Sequence, residues 1–197
     1  MPLPPASIRY KNPGAMWGRT GKRPSAEREV ATNNPLAMKW GSKRTFYLSD
    51  GLGQGNNIAV FDTWVQGICA QLDLWRSSPH YKNKRFADAI DIWSGGNNVP
   101  SYIRFVKTAV PGMTENTVMN DAFWRGPMGI AFLKAQAAHE AGKRYPAPDE
   151  DWVKAQAIVF GEKVPSPAPA PALAKPKPKR ITQDALIDQA LRELEPK

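Results

Sequence analysis

The chain is poor in the residues that cross-link proteins and bind metals. Its 197 residues include one cysteine and two histidines. A single thiol, Cys69, excludes an internal disulfide and fits synthesis in a reducing cytosol. Cys69, His80 and His139 are too few for a His/Cys metal centre, and no zinc spacing occurs. A P-loop and a dinucleotide fingerprint are also missing, so neither a metal nor a cofactor is expected. No run is apolar enough and long enough to span a membrane. The opening MPLPPASIRY has no basic region followed by an apolar stretch, so a signal peptide of the usual kind is not expected.

Basic charge is plentiful: the formal net charge is +9. That balance favours encounters with polyanions such as nucleic acid, acidic wall polymers or anionic lipid. Nucleic acid is disfavoured. The basic residues are spread along the chain, and no helix-turn-helix, RNA-binding sheet motif or zinc finger is readable.

Composition divides the chain into four parts. Residues 1–7 form a proline-rich arm. Residues 8–162 carry enough apolar sequence for one domain with a sizeable core. Residues 163–180 alternate Pro-Ala and then Pro-Lys, which predicts a stiff, basic linker. Residues 181–197 hold an amphipathic helix with Ile181, Leu186, Ile187, Ala190, Leu191 and Leu194 on one face. A helix that short is marginal alone in water, so docking on a partner or on a second copy is expected, with a frayed tail as the alternative.

Within the domain the apolar spacing is mostly helical, which predicts a mainly α fold with a small β-hairpin. Asn12-Pro13-Gly14 and Asn34-Pro35 are turn signals. NPGAMWG and NPLAMKWG are alike, but two short matches do not make a repeat. Runs 45–48 and 58–61 flank a Gly/Asn-rich segment and predict the hairpin. A helix starting at Asp62 or Thr63 follows, with Trp64, Val65, Ile68, Leu72 and Trp75 at helical spacing. Phe86 to Trp93 predicts a second helix stopped by Gly95-Gly96. A third runs from Pro100 to before Pro111-Gly112, and Thr114 with Asn116 or Thr117 is expected to start a short one around Met119. The region 123–142 holds the helix that carries Glu140, and 152–160 reads as one more short helix.

Ala131 to Gly142, AFLKAQAAHEAG, is the stretch that carries chemistry. It predicts the last turns of a helix ending at Gly142, with Glu140 close to that end. A carboxylate set between an apolar helix and an opening can be held as a protonated acid near neutral pH. The structural alternative is a solvated Glu at a helix terminus.

Four pieces occur in order: IRYKNPGAMWG, IAVFDTWVQGICAQL, FADAIDIWSGGNNVPSYIRFV and FLKAQAAHEAGKRYP. Over roughly residues 8–146 they resemble a phage-associated family of virion structural and lysis-related proteins. Its members open with an Asn-rich Asn-Pro-Gly motif and end a helix with a His-Glu-Asn-Gly-like sequence. That family is similar to the lysozyme and lytic transglycosylase superfamily with its segments reordered. The resemblance makes His139-Glu140-Ala141-Gly142 the acid helix and Asn12-Pro13-Gly14 the segment that normally follows it. Gly53-Gln54 takes the hairpin, and Trp93-Ser94-Gly95-Gly96 with Tyr102 takes the late turn. Such a circular permutation requires Gly142 and Asn12 to be neighbours. This sequence departs from the pattern at Ala141, where Ser is usual, and at Trp93-Ser94, where Tyr-Asn is usual.

The resemblance implies a lysozyme-like helical domain that cuts the glycan strands of peptidoglycan, with Glu140 as general acid. Asp50 and Asp62 are the candidates for a second carboxylate. Asn12, Trp17, Gln54, Trp93, Tyr102 and His139 are the candidates for substrate contact. Aromatic faces suit sugar stacking, although aromatics at helical spacing more often build a core. The expected partners are peptidoglycan and, through the terminal helix, a phage particle or tail component. The expected location is a virion or phage-derived particle acting in the periplasm and cell wall. A non-catalytic virion or wall-binding protein of the same fold is the alternative, and a basic nucleic-acid-binding protein is the second alternative.

Overall fold

The computed structural model describes residues 34–36, 38, 61, 63–163 and 182–194, with the backbone alone at 51–52 and 58–59. The architecture is mainly α, as the spacing predicts. Among the described residues the helices are α1 (Trp64–Ser77), α2 (Phe86–Ser94), α3 (Val99–Ala109), α4 (Asp121–Arg125), α5 (Pro127–Ala141), α6 (Asp149–Phe160) and α7 (Gln183–Leu194). A strand β1 (Gly51–Leu52) pairs antiparallel with β2 (Ile58–Ala59). That pairing is two residues long, and run 45–48 lies outside the described residues. The hairpin expected from runs 45–48 and 58–61 is therefore not established.

The start of α1 follows from local chemistry. Thr63 is the cap: its hydroxyl accepts from the Gln66 N–H at 3.3 Å and the Gln66 side chain accepts from the Thr63 N–H at 2.9 Å. This reciprocal pair satisfies two donors that a helix start leaves open. Nearly every residue of α1 from Val65 to Trp75 is buried, Cys69 among them. Burial pushes the Cys69 thiol up to about 12, so it stays a protonated, inert core residue.

The second buried helix is α5. Gly129, Phe132, Leu133, Ala135, Gln136, Ala137, Ala138 and Ala141 are all buried, so it is enclosed on most sides. Its alanines let neighbours come close, and α3, α4, α6 and α7 all pack on it. α4 comes close at Gly129, where a Cβ would lie 2.6 Å from the Phe123 carbonyl oxygen. Between α1 and α5 the core is aromatic. Trp75 lies within 6.4 Å, centroid to centroid, of Tyr81, Trp93, Trp124 and Phe132.

Two expectations need correction. The segment 114–119 is a turn and an extended bridge, not a short helix. Its backbone is committed elsewhere: Thr117 O accepts from Phe86 N, Glu115 O accepts from Ala87 N, and Met119 N donates to Lys84 O. The region 123–142 holds the Glu140 helix as expected; Pro127 has no N–H to continue α4 and starts α5 instead. The second correction concerns α7. It packs along α3 and α5 of its own chain, with Ile187 and Ala190 buried. Gln183 Nε2 donates to Ala109 O and Ala131 O, at 3.1 Å each, and Arg144 pairs with Asp184 and Asp188. The apolar face expected to meet a partner or a second copy is thus used within the chain.

No helix among the described residues is long and apolar enough to cross a membrane.

Candidate functional site

The last turn of α5 ends at Gly142, which takes the left-handed conformation at φ 64°. Glu140 sits in that turn, half-buried. Opposite it, α2 ends at Gly95, also left-handed at φ 61°, and α3 begins after Asn98. The chain reverses over these few residues. Trp93 at the end of α2 and Tyr102 in the first turns of α3 are thereby brought to the same place.

Both meet Glu140. The Trp93 indole N–H donates to Glu140 Oε1 at 2.8 Å, and the Tyr102 hydroxyl donates to the same oxygen at 2.8 Å. Burial raises the Tyr102 phenol well above its ordinary range, and the neighbouring carboxylate adds to this. The hydroxyl therefore keeps its proton and serves as a donor. His139 lies flat against the Tyr102 ring, with centroids 3.8 Å apart and planes 6° apart. Phe105 meets the imidazole edge-on at 5.0 Å. Burial lowers His139 to about 4, so the ring is neutral at ordinary pH.

A second polar layer stands behind the first. Gln136, one turn before Glu140 on α5, is fully buried. Its Oε1 accepts from Trp75 Nε1 at 2.6 Å and from Gln71 Nε2 at 3.1 Å. The site is thus a carboxylate at a helix end, gripped by two donors and backed by a buried amide.

Of the residues singled out in the sequence, Trp93, Tyr102, His139 and Glu140 come together here. Asn12, Trp17, Asp50, Gln54 and Asp62 lie outside the described residues, so the proximity of Asn12 to Gly142 does too. Tyr102 and His139 differ from the expectation of open sugar contacts. Tyr102 is only 4% exposed, and one face of its ring is covered by His139. Its phenol holds the carboxylate. The indole of Trp93 packs beside Trp75 and Tyr81, with centroids 5.6 and 6.2 Å away, and its N–H serves Glu140. Sequence reasoning missed Gln136, Gln71, Trp75 and Tyr81. The available signal was an isolated Gln four residues before Glu140 in an alanine-rich helix, since such pairs share a helix face.

Two grooves open elsewhere. One of about 660 Å³ runs along the outer face of α3 past Val99, Ile103, Arg104 and Lys107. The other, about 330 Å³, lies between Lys134, the 144–149 segment and the start of α7. Neither is lined by Glu140, Trp93 or Tyr102. Among the described residues no cluster of His, Cys, Asp or Glu could hold a metal ion.

Comparison with protein-family models finds no match, and a search of the curated proteins finds none.

Proposed function

We propose that this chain is a lysozyme- or lytic-transglycosylase-like protein of a phage or phage-derived particle, cleaving peptidoglycan glycan strands with Glu140 as general acid. The observation that supports this is the grip on Glu140 by Trp93 and Tyr102, which lie 47 and 38 residues away in sequence. A solvated Glu at a helix end would not draw donors from two other helices. In its protonated form the Glu140 carboxyl is a proton donor. Glycosidic cleavage needs such a proton at the leaving oxygen as positive charge develops on the sugar ring. A single carboxylate suffices where it acts first as acid and then as base, with the substrate's own hydroxyl closing a ring. Asp50 and Asp62 remain the candidates for a second carboxylate in a hydrolytic version.

The deciding experiment is turbidity loss of purified peptidoglycan with the wild type beside Glu140→Gln, folding being checked by circular dichroism. Clearing by the wild type and a loss of about 10²-fold or more in the variant is the expected result. Equal clearing by both would remove Glu140 from the role. No clearing by either would favour the second reading, a non-catalytic virion or wall-binding protein of the same fold.

A further inference from the structure

Asn120 and Asn98 each stand just before a helix, and only Asn120 is used as a cap. Asn120 is extended, at φ −90°, and its side chain accepts from Phe123 N at 3.0 Å. Thr63 caps α1 in the same way, at φ −138°. Asn98 is left-handed instead, at φ 51° and ψ 30°, and its side chain makes no capping bond. Positive φ crowds the Cβ of an L-residue against the backbone, and asparagine is among the few that take it with little strain. Asn83 is the only other non-glycine residue at positive φ among the described residues.

The turn that Asn98 closes is short. α2 ends at Ser94 and α3 begins at Val99, so residues 95–98 alone reverse the chain. Both sides of the turn are tied down. Gly96 N donates to Asp91 O at 3.0 Å, and Asn97 donates to Ser94 O through its backbone N at 3.2 Å and through Nδ2 at 3.1 Å. On the α3 side, Asn98 O accepts from Ser101 N at 3.1 Å and from Tyr102 N at 3.2 Å. The backbone of Tyr102 is therefore bonded to the residue with the unusual φ. Trp93 before the turn and Tyr102 after it each bring a donor to 2.8 Å from the same atom, Glu140 Oε1. An extended cap at 98, like that of Asn120, would send α3 in another direction and carry the phenol away from that oxygen.

The geometry points to Asn98 as a positioning residue: its left-handed backbone sets the course of α3 and so aligns the Tyr102 hydroxyl with the Trp93 indole on one oxygen of Glu140. The forgone capping bond is the local sacrifice for that alignment. Such departures from local preference collect at functional sites, where the surrounding structure holds them in place. The catalytic consequence rests on the glycosidase reading above, whereas the alignment of Tyr102 does not.

The test separates the two. Asn98→Gly removes the side chain and keeps positive φ accessible, whereas Asn98→Val sets a β-branched residue where that φ is strained. Asn98 is exposed, so neither change disturbs the core. In full-length protein labelled with ¹³C-tyrosine, the Tyr102 Cζ resonance is assigned by its loss in Tyr102→Phe. It should keep its place in the glycine variant and move in the valine variant. On soluble peptidoglycan fragments the valine variant should lose about tenfold in kcat with KM little changed, the size of effect expected for one positioning hydrogen bond. The glycine variant should keep its kcat. Should Asn98→Val fail to fold, Asn98→Ala, with less strain, takes its place with the same readings. A Cζ resonance unmoved in the folded valine variant overturns the proposal. A glycine variant that behaves like the valine one overturns it too, because the side chain and not the backbone would then matter. So does a valine variant that loses stability and keeps its kcat, which would leave a merely structural turn. If the wild type cleaves no peptidoglycan, the function reading fails and the Cζ resonance alone decides the alignment.

Discussion

The Trp93 indole N–H and the Glu140 carboxylate meet at 2.8 Å across 47 residues of sequence. The contact joins the end of α2 to the end of α5. Both helices stop at a left-handed glycine, Gly95 and Gly142. A glycine there costs nothing at positive φ, and it ends each helix within a turn of the functional side chain. The site is thus built where two helices terminate, with the aromatic core around Trp75 directly behind it.

Trp93→Phe keeps a ring in that core and removes one of the two donors to Oε1. The protein should stay folded, and peptidoglycan clearing should fall about 10- to 150-fold, which corresponds to roughly 1.5–3 kcal/mol for one hydrogen bond to a charged group. Initial clearing rates measured beside the wild type check this. An unchanged rate would make the indole a packing residue only.

Gly129→Ala tests how α4 and α5 meet. The new Cβ would lie 2.6 Å from Phe123 O and 2.9 Å from Trp124 Cα, both backbone atoms that cannot swing away. Helix propensity alone would make alanine the better residue by up to about 1 kcal/mol. The clash should win, with a net loss of about 1–3 kcal/mol in urea unfolding. A stabilised variant would show that α4 can slide away from α5.

Ile187→Ala asks whether α7 belongs to the domain. Ile187 is 2% exposed against α3 and α5, so truncation should cost about 2–5 kcal/mol. The Arg144 pairs with Asp184 and Asp188 are exposed and should contribute little beside it. The expected result is one cooperative thermal transition at lower temperature. An unchanged midpoint would mean that α7 opens independently, leaving its face available to a particle.

The sequence made most helices legible because their apolar spacing and stop signals are strong. Gly95-Gly96 and Gly142 mark two ends, and Thr63, adjacent to Asp62, is a cap residue by type. The segment 114–119 is ambiguous in sequence because Thr and Asn suit a turn as well as a helix cap. For the site, Glu140 and His139 stood out as neighbours at a helix end. The roles of Trp93 and Tyr102 depend on how α2 and α3 fold back on α5, and local pattern holds no record of that. Gln136 was invisible because a buried glutamine reads like a surface one until its partners are known. The terminal helix was readable as amphipathic, but nothing in its own residues says whether the surface it covers is in its own chain.

His139 supplies a pH test with a definite sign. Its folded value is about 4 against an ordinary 6.5, because burial disfavours the imidazolium. Between those values the unfolded chain binds more protons than the folded one, so stability rises with pH. The contribution is intact above about pH 6.5, declines on acidification, and is lost by about pH 4. From neutrality to pH 4.5 the loss should be about 2–3 kcal/mol, taking ~1.4 kcal/mol per pH unit over the window. His139→Phe keeps a flat ring against Tyr102 and cannot charge. Its urea midpoint should fall less than that of the wild type over the same range, and the difference between the two curves isolates His139 from carboxylates titrating nearby. Parallel curves would mean that the imidazole charges freely in the folded state. It would then be a solvated group, and not the neutral platform beneath the phenol that holds Glu140.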